Sequence, residues 1–460
     1  MAHADYRHGK SGAIMRKPNI ILINCDDLGY GDLGVYGSTA NKTPALDRMA
    51  AEGLRFTDFY MASPVCSPSR GAMMTGCYPP RIGFGLFEGL VVLFPGQGVG
   101  LNSSEITIAR LLKDAGYSTM HIGKWHCGDQ EEFMPTRHGF DGYYGLPYSN
   151  DMGRQANSYG FPPLPLMEGE EVAEQQPDQA SLTERYLERG IKFIRQNREN
   201  PFFLYFAHMY VHVPHYAPER FRKQSYNGEY GACVECVDWC ADVILHELKS
   251  LGLDNDTLVI FTSDNGSRGD RGGSNRPLRG NKATTYEGGL RVPCIMRWPG
   301  HIPAGSVVTD MAWSMDFYRT LAEIGGAQIP EDRIIDGSNI LGTILDPETR
   351  IPDRPFFYYW GNDLCAVRYG DYKYNCVDKA LYNLRADIKE SINIAADHPD
   401  IVGRMEGMLE SCRKDMGDAR TGAAGANIRP IGRVDNPKPL TTYDEFYPYY
   451  MAMYDKPDMG

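Results

Sequence analysis

The sequence predicts an α/β protein. A large mixed, mostly parallel sheet flanked by helices is followed by a smaller C-terminal α+β subdomain with an antiparallel sheet. Three observations carry this. Short apolar β-rich runs alternate with amphipathic helical ones from Pro18 onward. Polar side chains collect just after the apolar runs, where ligands bind in open α/β sheets. Near residue 350 a proline- and aspartate-punctuated stretch gives way to short aromatic runs.

The elements follow in order. "NIILIN" reads as a strand, "TPALDRMAAEGL" as a helix, "RFTDFYMA" as a strand, "SSEITIARLLKDAG" as a helix and "YSTMHIG" as a strand. The pattern resumes with the helix "TERYLERGIKFIRQN", the buried strand "PFFLYFAHM", the helix "CVECVDWCADVILHELKSLG", the strand "DTLVIFTSDNG" and the helix "MDFYRTLAEIGG". Past the boundary, "FFYYW", "CAVRYGDYKYNCV" and "ALYNL" read as strands of a small antiparallel sheet covered by the helix "HPDIVGRMEGMLESCRKDMG". The expected organisation is a polar, tag-like or disordered stretch 1–17, a catalytic α/β domain 18–350 and a C-terminal subdomain 351–460. The subdomain ends in an extended arm lying on its own or a neighbouring surface. The arm's aromatic part, Tyr443 to Tyr454, suits covering a partner subunit, so a homo-oligomer is compatible.

The 460 residues are 42% apolar, enough for a large core. A net charge of −12 repels polyanions, so nucleic acid is excluded as a partner, and an anionic ligand would need a local cationic pocket. No apolar run approaches the roughly 18 residues of a membrane span, and no secretory signal is visible. Eleven cysteines without framework spacing argue for free thiols, hence a cytoplasmic setting unless a signal has been removed.

"NCDDLGYGD" sets Asp26 and Asp27 side by side after a strand, an arrangement that a hard cation relieves; "FTSDNGS" adds Asp264 and Asn265. Each pair alone fits a turn or cap, but two such strand ends favour a shared site. Oxygen-only ligation selects calcium or magnesium over zinc. "GKWHCG" places Lys124 and His126 two apart, on the same side if the backbone stays extended. "MYVHVPHYAP" offers His212 and His215, and "RGNKATTYEGGLRVP" offers Lys282. Cys233, Cys236 and Cys240 share a helical face, which reads as core packing rather than a metal cluster. In "PVCSPSRGAMMTG", Cys66 sits in a small polar turn with Pro68 and Arg70 close by.

These blocks together resemble the type I sulfatase family, in its arylsulfatase A-like branch of the alkaline-phosphatase-like superfamily. "PVCSPSRGAMMTG" resembles its cysteine-x-proline-x-arginine signature and "GKWHCG" its second signature. "DDLGYGDLGVYG", "SDNG" and "TTYEGGLRVP" match further blocks in order, so that the similarity runs from Pro18 to Leu384. The resemblance implies hydrolysis of sulfate monoesters to an alcohol or phenol plus inorganic sulfate. Cys66 would be oxidised to formylglycine by a formylglycine-generating or anaerobic sulfatase-maturing enzyme, and the hydrated aldehyde, a gem-diol, would be the nucleophile. The resemblance further implies that Asp26, Asp27, Asp264, Asn265 and modified Cys66 bind calcium, that Arg70 holds the diol, and that Lys124 and Lys282 clamp the sulfate. His212 would protonate the leaving group, sharing that role with Lys282, so that Lys124, His212 and Lys282 are also the substrate-binding residues. His126 would take a proton from the second diol hydroxyl. The substrate would be a small-molecule or glycan sulfate ester, and Arg268, Arg271, Arg276 and Arg279 either bind a second anionic group or form a solvated loop. The family implies periplasm or secretion where the thiols imply cytoplasm. Two other readings stand beside this one: a phosphodiesterase or phosphonate monoester hydrolase of the same superfamily, and a non-catalytic sulfated-glycan binding protein.

Overall fold

The computed structural model describes residues 17–154, 159–449, 456 and 458–459. A ten-stranded sheet forms its centre, in the order Ser306–Val308, Leu54–Phe56, Cys294–Arg297, Thr257–Ser263, Asn19–Cys25, Phe202–Ala207, Ser118–Gly123, Gly142–Gly145, Pro165–Glu168 and Glu171–Gln175. The five strands from Thr257–Ser263 to Gly142–Gly145 are mutually parallel, with antiparallel partners on either side. The continuous apolar runs belong to these central strands because both of their faces are covered. Ile20 and Leu22 enter the core on one face, and Ile21 and Ile23 that on the other, where the helix Gly228–Ser250 lies. Cys233, Cys236 and Cys240 are buried in that second core, and all eleven cysteines are free.

A separate four-stranded antiparallel sheet, Phe356–Trp360, Asp363–Tyr369, Tyr372–Asn375 and Ala380–Asn383, carries the helix Pro399–Met416. A third core cluster joins this sheet to Tyr60 and Leu290 of the main body. Among the described residues no helix is long and apolar enough to cross a membrane.

Three local expectations need correction. "RFTDFYMA" is two strands, Leu54–Phe56 in the main sheet and Phe59–Tyr60 paired with Ala312–Trp313. The break at Asp58 lets its carboxylate pair with Arg291 and Arg368. Cys66 is not in a turn but opens the helix Cys66–Thr75. Pro68 is tolerated in a first turn, whose N–H groups lack intrahelical partners, and Gly76 at φ 69° ends the helix. Lys124 and His126 are not joined by extended backbone, because His126 has φ 60°.

The terminal arm lies on its own chain as far as it is described. Gly432–Arg433 pairs with Val99–Gly100, and Arg154 sits over the Tyr443 ring. The 1–16 stretch and Tyr450 to Tyr454 lie outside the described residues.

The strand Ser118–Gly123 leads into Lys124 through Gly123 at φ 100°, where an added Cβ would lie 1.7 Å from the Ala207 carbonyl oxygen. Gly123→Ala should therefore destabilise the fold by about 2 kcal/mol or more. A lowered denaturant midpoint at unchanged slope is the expected result.

Candidate active site

The site is built from strand ends brought level by the sheet register. Cys25 pairs with Ser263 and Gly123 with Ala207, so the next residues emerge together. Their backbones extend the ladder: Asp264 N–H donates to Cys25 O (3.0 Å), Lys124 N–H to Ala207 O (2.8 Å) and Asp26 N–H to Tyr210 O (2.9 Å).

Asp26 and Asp27 would point apart if both continued the strand. Asp27 instead takes φ 59°, a left-handed conformation that aspartate tolerates. Its backbone N–H then donates to Asp264 Oδ1 (3.2 Å), while its side chain accepts from Asn265 Nδ2 (2.7 Å) and Lys282 Nζ (2.9 Å). The Cys66 thiol donates to Asp26 Oδ1 at 3.4 Å. Ligand atoms of Asp26, Asp27, Cys66 and His212 all lie within 4.8 Å of one another.

Three cations hold this acidic group. Lys124 Nζ donates to Asp26 and to Ser149 Oγ (3.2 Å). Arg70 Nε donates to Asp264 Oδ2 (2.8 Å) and Nη1 to the Lys124 carbonyl (2.9 Å). Lys282 pairs with Asp27. Burial alone would raise the Asp26 carboxyl, but Lys124, His212, Arg70 and Lys282 overcome it and hold it far below the usual range. Asp264 goes the other way, pushed up to about 7 by burial and by Asp26. The cluster thus resists full ionisation unless more positive charge arrives.

Asn265 Oδ1 is buried and has no hydrogen-bond partner among the described residues. An orphaned acceptor beside three carboxylates fits a hard divalent cation. Asp26, Asp27, Asp264 and Asn265 would hold it.

The two histidines have defined tautomers. His126 Nε2 lies 2.9 Å from the Leu93 carbonyl, so it carries the proton, and Nδ1 keeps its lone pair with no partner among the described residues. Burial and Lys124 hold this imidazole neutral. His212 Nδ1 donates to the Val213 carbonyl (2.6 Å), turning Nε2 toward Asp27 Oδ2 at 3.8 Å. The Cys66 thiol is pushed up by burial and then by Asp26, so as an unmodified cysteine it stays protonated and is a poor nucleophile.

Nine of the selected residues, Asp26, Asp27, Cys66, Arg70, Lys124, His212, Asp264, Asn265 and Lys282, are thus linked by direct contacts, and His126 lies two residues beyond Lys124 with its ring on the Leu93 carbonyl. His215 does not join them; its Nε2 donates to Val211 O (3.1 Å), and it walls an adjoining crevice with Asp27, Val211, Val213, Tyr230, Arg268 and Arg271. Arg279 turns away to the C-terminal subdomain, donating to Glu390 O (2.7 Å). Ser149 was missed as a contact of both Lys124 and His212, because a lone serine between Tyr148 and Asn150 carries no motif. Leu93 was missed too, because it acts through its backbone carbonyl.

The family model described as Sulfatase matches residues 18–327. The chain is a sulfatase. A second model, N-sulphoglucosamine sulphohydrolase, C-terminal, matches residues 280–415. The sulfatase is 43% identical over 381 residues to N-acetylgalactosamine-6-sulfatase of Rattus norvegicus, covering 77% of this chain and 71% of that one. It is 40% identical over 386 residues to arylsulfatase A of Homo sapiens, covering 78% and 75%. Among solved structures it superposes with Ps i-CgsB in complex with k-i-k-neocarrahexaose at a TM-score of 0.78, with 32% identity over 86% of this chain and 92% of that one. The activity is hydrolysis of sulfate esters, and membership of the family implies a metal ion and a formylglycine.

Chelation of divalent cations should lower the melting temperature of the sulfatase, and returning the cation should restore it. At a hundredfold excess over Kd the gain is about 2.7 kcal/mol. In Asp264→Ala the melting temperature should no longer respond to added cation, which a titration followed by thermal unfolding would read.

Proposed function

We propose that this sulfatase cleaves a sulfate monoester of a glycan, with Cys66 converted to formylglycine and calcium held by Asp26, Asp27, Asp264, Asn265 and residue 66. The observation that carries the reading is the contact of residue 66 with Asp26, inside a set of carboxylates paired with Arg70, Lys124 and Lys282. Bound there, calcium would polarise the sulfate oxygens and the hydrated aldehyde would supply the attacking oxygen. A site offering four protein side chains with oxygen donors suits calcium, because magnesium prefers to keep several waters.

The chain's own groups do the rest. Lys124 is fixed by Asp26 and Lys282 by Asp27, where they meet the negative charge that grows on the sulfate oxygens without having to reorient. Arg70 holds Asp264 and the Lys124 backbone together and so keeps the nucleophile's surroundings in register. Residue 66 opens a helix, whose N-terminal N–H groups favour an anion.

His212, with Nδ1–H held by the Val213 carbonyl, would donate from Nε2 to the leaving alcohol only in its doubly protonated form. Burial and then Lys282 pull its pKa down, and an arriving sulfate anion opposes both effects. His126 accepts a proton at Nδ1, the nitrogen left free by its bond to Leu93.

Arg268 and Arg271 border Asp27 but are paired with Asp270 and Asp458, so a further anionic group on the substrate would have to displace those carboxylates. The relatives named for N-acetylgalactosamine-6-sulfate and a neocarrahexaose complex support a glycan as the substrate class.

A screen of the purified enzyme for sulfate release should show sulfated sugars turned over with higher kcat/KM than aryl sulfates. Preference for phosphodiesters or phosphonates would overturn the proposal. Lys124→Ala should lower kcat by about 10²–10³-fold. Cys66→Ser should release at most one equivalent of alcohol per site and then stop; sustained turnover would contradict the role of residue 66. Intact mass of the Cys66 peptide distinguishes the aldehyde from the heavier thiol.

A further inference from the structure

Lys282 reaches Asp27 from a loop with no secondary structure of its own, between Arg279 and the short helix Glu287–Leu290. On its inner side the loop is tied to the site by backbone contacts: Lys282 N–H donates to Ser267 O (2.9 Å) and Ala283 N–H to Pro64 O (3.0 Å), two residues before Cys66. Ala283 takes φ 65°, a conformation that a free loop would not hold.

The outer side is held by the C-terminal subdomain. Lys373, on the strand Tyr372–Asn375, donates from Nζ to the Thr285 carbonyl (2.8 Å) and to Glu287 Oε1 (3.2 Å), and pairs with Glu390 Oε1 at 2.8 Å. Glu390 Oε2 accepts from the Glu287 backbone N–H (2.8 Å), and the Glu390 carbonyl accepts from Arg279 Nη1 (2.7 Å). Tyr358 OH donates to Glu287 Oε1 (2.7 Å). Both ends of the Lys282 loop are thus gripped by one buried unit.

Lys373, Glu287 and Glu390 are fully buried. Three desolvated charges are an expensive way to fill space, since apolar side chains of similar volume are often as stable or more so. What the charges add is direction: the ammonium fixes one loop carbonyl and two carboxylates, and one carboxylate fixes a loop N–H. We propose that Lys373 and Glu390 are positioning residues for the sulfate-clamping Lys282, so that the C-terminal subdomain is part of the catalytic apparatus. The proposal rests on the role given to Lys282 above.

A double-mutant cycle on the modified, calcium-loaded enzyme tests it with an aryl sulfate. Lys373→Met should lower kcat by about 10–100-fold while KM shifts by less than about threefold, and Lys373→Arg should recover part of the loss. In a Lys282→Ala background the same Lys373→Met change should cost less than about threefold, because the group it positions is gone. Glu390→Gln, which keeps size and shape, should give a smaller loss that also vanishes in that background. It carries the test if Lys373→Met does not fold.

An equal fold-loss in the presence and absence of Lys282 overturns the proposal and leaves the role of Lys282 intact. A lowered melting temperature with unchanged kcat overturns it as well. Full activity of Lys282→Ala would instead remove the role of that lysine, and this inference with it.

Discussion

Three carboxylates, Asp26, Asp27 and Asp264, are buried side by side at the end of a sheet, and every other feature of the site answers to that arrangement. Desolvated like charges cannot coexist unless cations and hydrogen bonds replace the lost water. Arg70, Lys124 and Lys282 provide the cations, and each comes from a different segment of the chain. The balance is incomplete, as the opposite pulls on Asp26 and Asp264 show. A divalent cation would complete it, and Asn265 Oδ1, without a hydrogen-bond partner among the described residues, is an acceptor left over for such an ion. The arrangement spends stability on charges that are already oriented when substrate arrives, which is where electrostatic catalysis gains over water.

The architecture serves this cluster by limiting motion. Backbone hydrogen bonds carry the parallel ladder one residue beyond the strands, so Asp26, Asp264 and Lys124 cannot drift relative to one another. Gly123 permits the approach of Lys124 to the Ala207 carbonyl that any side chain would block. Residue 66 is the first residue of a helix whose interior packs in the core through Met73 and Met74. The Lys282 loop, like the turn that carries His212, lacks such a scaffold. The outer side of the Lys282 loop is held by Lys373 of the small sheet and by Glu390 beyond it, and its inner side by the Ser267 and Pro64 carbonyls.

Much of the architecture was legible because its signal is periodic. "NIILIN" and "DTLVIFTSDNG" read as buried strands since continuous apolar runs are what a doubly covered parallel sheet requires. The aromatic runs after residue 350 read as a second sheet for the same kind of reason. Errors came where one residue changes the path. Asp58 splits a strand to reach two arginines, and neither arginine is near it in sequence. The helix opened by Cys66 hides behind Pro68, which usually signals a break but is accommodated in a first turn. The left-handed backbone of Asp27 and His126 leaves no compositional trace at all.

The sequence by itself determined the chemistry on offer: which strand ends carry oxygen ligands, which segments carry lysine and histidine, and that residue 66 belongs to a sulfatase signature. Those are properties of residue type and spacing along one chain. Only the tertiary structure decided that nine of these groups are in contact, which nitrogen of each histidine faces a backbone carbonyl, and that Ser149, the Leu93 carbonyl, Lys373 and Glu390 lie against them. The reason is physical. Register between non-adjacent strands, local backbone reversals and buried ion pairs are set by contacts between residues far apart in the chain, 238 positions for Asn265 with Asp27 and 255 for Lys282 with Asp27, and no local window of the sequence contains both partners.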